Sequence, residues 1–308
     1  MHSAPFWVSG WRSRVMMKGD FSHSSIDTPN KSPLSSAPVA QNLTEVHPLP
    51  THGLDIEAIN SALSGRVVGS QVLWYDSISS TMDEVRRLAD EGRAEGLVVV
   101  AGEQTAGRGR FDRRWVSPAG SALLFSVLLK PESRQLPYVN MAATLAIADA
   151  VAAHVQTAPT IKWPNDVRIG GLKVSGILIE TDSGVGKLRY ALVGIGINVD
   201  LDVSRHPEIA QTATSVNSEA IAPVDSTALL LDVLTRMDDM YASVRADSSL
   251  TAEWASRLET LGKPVQVSWG HKVFSGVARE VDERGNLIVE RDDGTTVTVA
   301  GGEVTLRV

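Results

Sequence analysis

Lys162-Trp163-Pro164-Asn165-Asp166-Val167-Arg168-Ile169-Gly170-Gly171-Leu172-Lys173-Val174-Ser175-Gly176-Ile177 holds two short apolar runs separated by paired glycines. Runs of this length bounded by Gly-Gly read as the two strands of a hairpin. The pattern extends outward as strands over Thr160–Trp163, Val167–Ile169, Leu172–Glu180 and Leu188–Ile197, with a turn at Ser183-Gly184. A helical stretch, Leu136–Gln156, precedes them. Two more follow, Ser226–Val244 with Ser226 as N-cap and Thr251–Leu261. Hairpins and helices without a repeated βαβ unit define an α+β fold with a mixed sheet.

Further upstream, Leu54 opens a helical stripe (Ile56, Ile59, Ala62, Leu63) that Gly65 ends. Gln71–Tyr75, Leu97–Ala101 and Ala122–Leu129 read as strands, and Gly102–Ala119 as a long loop. Ser79-Ser80-Thr81 precedes a second helical stripe, where Thr81-x-x-Glu84 has the spacing of a capping box. After Gly262-Lys263-Pro264 the chain changes to short alternating strands, Val265–Trp269, Val273–Val281, Leu287–Glu290 and Thr295–Ala300. That pattern predicts a small all-β barrel packed on its larger neighbour. Residues 1–50, rich in Ser, Pro, His and Asn, show no period and read as a disordered tail, with Met16 or Met17 as alternative starts. The expected organisation is a tail over 1–50, a large domain over 51–262 and the barrel over 263–308.

With no cysteine, a disulfide framework, a thiolate metal site and a cysteine nucleophile are excluded. The histidines fall at no metal-ligand spacing. A net charge of −7 argues against broad nucleic-acid binding. The longest apolar stretch, Met141–Val155, is too short to span a bilayer, and Met1–Met17 lacks the apolar core of a signal peptide. A cytoplasmic protein with neither membrane nor nucleic-acid partner is expected.

On this acidic body, Gly107-Arg108-Gly109-Arg110-Phe111-Asp112-Arg113-Arg114-Trp115 is a local positive spot. Its glycines allow close backbone approach, its guanidinium groups match phosphate oxygens, and its indole can cover a flat ring. There is no GxxxxGK[ST] loop and no GxGxxG opening a helix, so phosphate handling falls to this loop, with Lys162 and Lys173 as further cations. Asp166 is a candidate Mg2+ ligand or general base, and the sequence leaves that choice open. Gly194-Ile195-Gly196-Ile197-Asn198 reads as a wall that a flat ligand can approach, with Asn198 reading base edges.

Gln104–Arg110 with Arg113 and Trp115, Lys162–Asp166, Lys173–Ile177 and Gly194–Asn198 together resemble the motifs of bacterial biotin protein ligases, over roughly residues 70 to 305. The resemblance implies a catalytic domain of the class II aminoacyl-tRNA-synthetase-like fold and a C-terminal SH3-like β-barrel. It implies activation of biotin by ATP and Mg2+, then transfer to a lysine of a biotin carboxyl carrier protein or domain of an acyl-CoA carboxylase. Carried over by position, Ser80, Thr81, Met82 and Gln104 bind biotin; Arg108, Gly109 and Arg110 form the loop over the adenylate. Lys173 meets the carboxylate and phosphate, Arg113 and Trp115 cover the nucleotide, and Asn198 contacts adenine. Arg110, Lys173 and Asp166 are the expected catalytic groups. Met82 departs from the family, which often has Asn there.

The Arg-Arg-x-Ser-Gly-Gly-Gly-Ala-Val string of lipoate and octanoate ligases is absent, and an intact Arg108/Arg110/Lys173 set disfavours a biotin-binding regulator without catalysis. The segment before residue 70 holds one short helix and no basic recognition helix, against the DNA-binding role of many relatives. A monofunctional ligase, monomeric or weakly dimeric, is the resulting expectation.

Overall fold

A computed structural model describes residues 53–184 and 187–306. The expected tail and the alternative start codons lie outside these residues.

The larger unit is built on a seven-stranded sheet. Its strands are β1 (Gln71–Ile78), β2 (Leu97–Gln104), β3 (Ala122–Leu129), β4 (Thr160–Lys162), β5 (Asp166–Ile169), β6 (Leu172–Gly184) and β7 (Lys187–Asn198). Their order is β1-β2-β3-β7-β6-β5-β4. Only β1 and β2 run parallel; every other neighbouring pair is antiparallel, as successive hairpins require. Six helices accompany the described chain: α1 (Ile56–Ala62), α2 (Thr81–Asp90), α3 (Leu136–Ala152), α4 (Val216–Glu219), α5 (Ser226–Arg245) and α6 (Thr251–Ser256). The main core covers one sheet face, where α3 packs on α5 and inward residues such as Phe125, Val127, Val193 and Ile195 meet Leu145, Ile147, Leu230 and Met237. On the other side α2 lays Met82, Val85 and Leu88 against Val99, Leu128 and Leu192.

Several boundaries move for local reasons. The N-cap of α5 is Asp225, whose carboxylate accepts from the amides of Thr227 and Ala228; Ser226 is already helical. The capping box at α2 does not form. Ser80 is the N-cap without a side-chain bond, and Glu84 turns instead to the Tyr75 hydroxyl and Arg87. Gln104 supplies the missing acceptor from β2, its Oε1 taking the Thr81 amide at 2.8 Å and the Thr81 hydroxyl at 3.1 Å. Helix α6 stops at Ser256, five residues short of the expected end, because the Ile161 amide donates to the Arg257 carbonyl and the Glu259 amide to the Ile161 carbonyl.

The C-terminal unit is a five-stranded antiparallel sheet: β8 (Pro264–Trp269), β9 (Lys272–Val281), β10 (Leu287–Glu290), β11 (Thr296–Val299) and β12 (Glu303–Leu306), in the order β11-β10-β9-β8-β12. Four strands were expected; β12 is the addition. It is anchored on the larger unit through the β9–β10 turn. The Trp163 indole donates to the Gly285 carbonyl at 2.9 Å, while Tyr138 and Thr251 donate to the Glu283 carbonyl. Gly285, at φ +77, packs against Met141 and Trp254, whose own indole donates to Thr144. The Trp163–Gly285 bond is buried, so an unmatched polar atom there is costly. Trp163→Phe keeps the apolar packing and strands the Gly285 carbonyl, a loss of about 1–3 kcal/mol. A lowered thermal midpoint by calorimetry is the expected outcome; an unchanged one would show that the seam does not depend on this bond.

Candidate active site: a cleft between the sheet and the arginine loop

One row of residues crosses the sheet and forms the floor of a cleft. Reading the ladder pairings in turn, Lys162 opposes Asp166, Asp166 opposes Gly176, Gly176 opposes Gly196, and Gly196 opposes Leu124. All five line the cleft, together with Thr81, Met82 and Gln104 at the α2 end and the arginine loop above.

The two central glycines make room for Trp115. A Cβ on Gly196 would lie 2.5 Å from the Trp115 ring, and one on Gly176 would lie 3.0 Å from it and 2.7 Å from the Lys173 ammonium. Of the wall that Gly194 and Gly196 were expected to offer a flat ligand, the Gly196 part is therefore covered by the indole of this same chain. The Trp115 ring nitrogen is buried without a hydrogen-bond acceptor among the described residues. Gly194 plays the same part for Met82, whose sulfur lies 2.6 Å from where a Cβ would stand. Met82 thus fits as an apolar partner of Gly194 and as part of the α2 core.

The arginine loop is pinned from two sides. Residues 108 and 114 form a backbone bridge, and the Gly109 amide donates to the Arg113 carbonyl at 2.7 Å, so the segment is a tight hairpin. Arg108 forks onto Asp83 of α2 at 2.8 and 2.7 Å, which raises its already high pKa. Arg113 reaches Glu303 at the start of β12. Arg110 lies between the two units: one nitrogen donates to Asn165 Oδ1 at 2.7 Å, the other to the Gly302 carbonyl at 2.9 Å. Burial lowers its pKa, opposed by the nearby carboxylates of Asp166 and Glu303. Asn165 is itself fixed on β6, donating to the Ile177 carbonyl and accepting from the Ile177 amide. Phe111 stacks on the Arg110 guanidinium at 4.9 Å and adopts φ 57, ψ 39, the left-handed region that bulky residues avoid.

Asp166 is the anionic centre of the floor. Its Oδ1 accepts from Lys173 Nζ at 2.7 Å, and the same ammonium lies 5.6 Å from the Trp115 ring centroid. Among the described residues no three His, Asp or Glu side chains converge as a metal site. A divalent ion here has one carboxylate, already shared with a lysine, so the donor set suits a metal that arrives with a nucleotide's phosphates.

The structure thus brings Ser80, Thr81, Met82, Gln104, Arg108, Gly109, Arg110, Arg113, Trp115, Asp166 and Lys173 to one cleft. Asn198 is the exception. It is buried at 3% exposure, outside the cleft lining, and its amide donates to the Thr214 carbonyl. The segment around Thr212–Thr214, bonded to the backbone of Lys173, lies along that end of the sheet. Asn165, Gly302 and Glu303 were not anticipated. Asn165 stood inside the quoted motif, whereas nothing in residues 302–303 signalled contact with a loop 190 positions earlier.

Comparison with known proteins agrees with this architecture. Residues 74–198 match the model of the biotin/lipoate A/B protein ligase family, and residues 260–307 that of the biotin protein ligase C-terminal domain. The chain is 32% identical to the biotin–[acetyl-CoA-carboxylase] ligase of Paracoccus denitrificans, across 72% of this chain and 95% of that protein. It is 31% identical to the bifunctional ligase/repressor BirA of Bacillus subtilis, across 77% of this chain and 74% of the relative. Among solved structures, the biotin protein ligase of Aquifex aeolicus in complex with biotin and ATP superimposes with a TM-score of 0.65 at 29% identity, covering 77% of this chain and 98% of that one. The chain belongs to the biotin protein ligase family.

Proposed function

We propose that this protein activates biotin with ATP to biotinyl-5′-adenylate, releasing pyrophosphate, and then transfers the biotinyl group to a lysine of a biotin carboxyl carrier protein or domain of an acyl-CoA carboxylase. The observation that carries the reading is the convergence of Arg110, Lys173 and Lys162 around Asp166, beneath a tryptophan-covered floor and in a chain related to carboxylase ligases. A carboxylate attacking an α-phosphate meets strong charge repulsion, and fixed cations in a partly dry cleft are what lower that barrier. Thr81 and Gln104, already bonded to each other, supply a polar end for the ureido ring of biotin, and Met82 an apolar wall.

Lys173 stands between the bound carboxylate and the α-phosphate. Its partner Asp166 keeps it positioned and balances its charge. Mg2+, held by Asp166 and the phosphates, would neutralise phosphate charge when bound. In the second half-reaction the carrier amine must lose its proton before attacking the acyl carbon, a task for which Asp166, where it does not hold the metal, is a carboxylate lining the cleft. Arg108 forks onto Asp83 and Arg113 makes a single bond to Glu303, contacts that fasten the loop over the cleft. The reading further takes the protein as cytoplasmic, monomeric or weakly dimeric, and without a DNA partner. No described helix is long and apolar enough to cross a membrane.

Biotin-dependent exchange of radiolabelled pyrophosphate into ATP tests the first step directly. The wild-type protein should catalyse exchange with biotin and not with lipoate; no exchange with biotin would remove the proposed activity. Lys173→Ala should reduce it by on the order of 10²–10³ while leaving the thermal midpoint nearly unchanged. A near-normal rate would place Lys173 outside the reaction.

Arg110→Gly removes the contact between the loop, Asn165 and Gly302. Adenylate should still form, be held less well and escape to acylate unrelated lysines. In an avidin blot with a bystander protein, labelling well above wild type is expected. Wild-type labelling with normal adenylate synthesis would assign retention to some other residue.

A further inference from the structure

Strand β3 places a single hydroxyl on the face that α2 covers. Leu124 and Leu128 flank Ser126 on that face, and Val99 and Gly194 oppose it on the neighbouring strands. Ser126 is fully buried and stands behind Thr81, outside the lining of the cleft. A hydroxyl in such surroundings is destabilising unless its proton finds an acceptor. Among the described residues the one hydrogen-bond partner of its side chain is the Thr81 hydroxyl, 2.7 Å away.

The direction of each proton in this group follows from its neighbours. The Thr81 amide donates to Gln104 at 2.8 Å, so the atom it meets is the carbonyl oxygen Oε1, and the NH2 end of that side chain is turned elsewhere. The Thr81 hydroxyl lies 3.1 Å from the same oxygen and gives its only proton there, because a carbonyl oxygen can only accept. No proton is left on Thr81 for Ser126, so Ser126 donates into Thr81 Oγ1. Donation therefore runs from Ser126 to Thr81 to Gln104. Left over, on two residues that both line the cleft, are one lone pair of Thr81 Oγ1 and the Gln104 N–H groups, which have no acceptor among the described residues.

On the proposed reading of the function, on which this inference rests, the ring that enters this end is a cyclic urea. Its carbonyl oxygen accepts, and the N–H groups beside it donate. An acceptor on Thr81 next to donors on Gln104 complements that pattern. A Thr81 proton turned toward the cleft would instead set donor against donor. Without Ser126, only the longer bond to Gln104 would hold that proton away.

We propose that Ser126 is a positioning residue for biotin specificity: buried behind Thr81 and touching no ligand, it fixes the direction of the Thr81 proton and so keeps an acceptor facing the urea.

Ser126→Ala removes the donor, whereas Ser126→Cys fills the same space with a much weaker one. In biotin-dependent pyrophosphate exchange the KM for biotin should rise about five-fold or more in Ser126→Ala and about three-fold or more in Ser126→Cys. The KM for desthiobiotin, which has the same urea, should rise in parallel, while kcat and the KM for ATP stay within about two-fold. Because Ser126 acts through Thr81, the two losses should not compound. Adding Ser126→Ala to Thr81→Val should change the biotin KM by less than about two-fold. An unchanged biotin KM in Ser126→Ala would overturn the inference. A wild-type KM in Ser126→Cys would do the same by making the serine a space filler, as would full multiplication of the two losses in the double variant. Wild-type protein that fails to exchange pyrophosphate with biotin would instead bring down the underlying function, a distinguishable result.

Discussion

Everything at this site depends on one guanidinium held between two units. Arg110 donates to Asn165 on the sheet side and to the Gly302 carbonyl on the C-terminal side. Neither acceptor is charged. A guanidinium bound only by neutral oxygens is oriented without being neutralised, so its charge remains available to an anion. An aspartate at position 165 would have satisfied the arginine and silenced it. The Arg108–Asp83 and Arg113–Glu303 pairs flank the same hairpin and do neutralise their arginines, which makes them fasteners of the loop.

The C-terminal sheet thereby becomes part of the site's construction. It meets the Lys162–Asp166 segment from behind, through the Trp163–Gly285 bond, and the arginine loop from above, through Gly302 and Glu303. Trp163 and Asn165 are two residues apart, one facing the seam and the other fixing Arg110. A displacement of the small unit is felt at both ends of the cleft. The strained Phe111 backbone belongs to the same arrangement, since its ring covers the guanidinium that the two units share.

Much of this was legible in the sequence, and the remainder was hidden for identifiable reasons. The hairpin succession from Thr160 to Asn198 followed from glycine turns and short apolar runs, which are local signals. The cations of the cleft followed from residue type. Their partners did not, because Arg110–Gly302 and Arg113–Glu303 join positions far apart in the chain, and no periodicity carries such a pairing. Asn198 shares the parity of Gly194 and Gly196 on β7 and still lies outside the cleft lining. Parity assigns a face, and the Thr212–Thr214 segment that borders that end of the sheet is irregular structure. Strand β12 escaped because four residues after Gly301-Gly302 are too short a run to stand out. The glycines at 194 and 196 were recognised as a flat surface; that the indole of Trp115 lies over Gly196 and its ladder partner Gly176 required the three-dimensional register.

The central claim is that Arg110 works only while Asn165 aims it. Stopped-flow release of preformed biotinyl-5′-AMP measures this most directly, comparing wild type with Asn165→Ala. The account predicts release at least ten-fold faster in the variant, with biotin affinity in the absence of nucleotide changed by less than about three-fold. Equal release rates in the two proteins would contradict it.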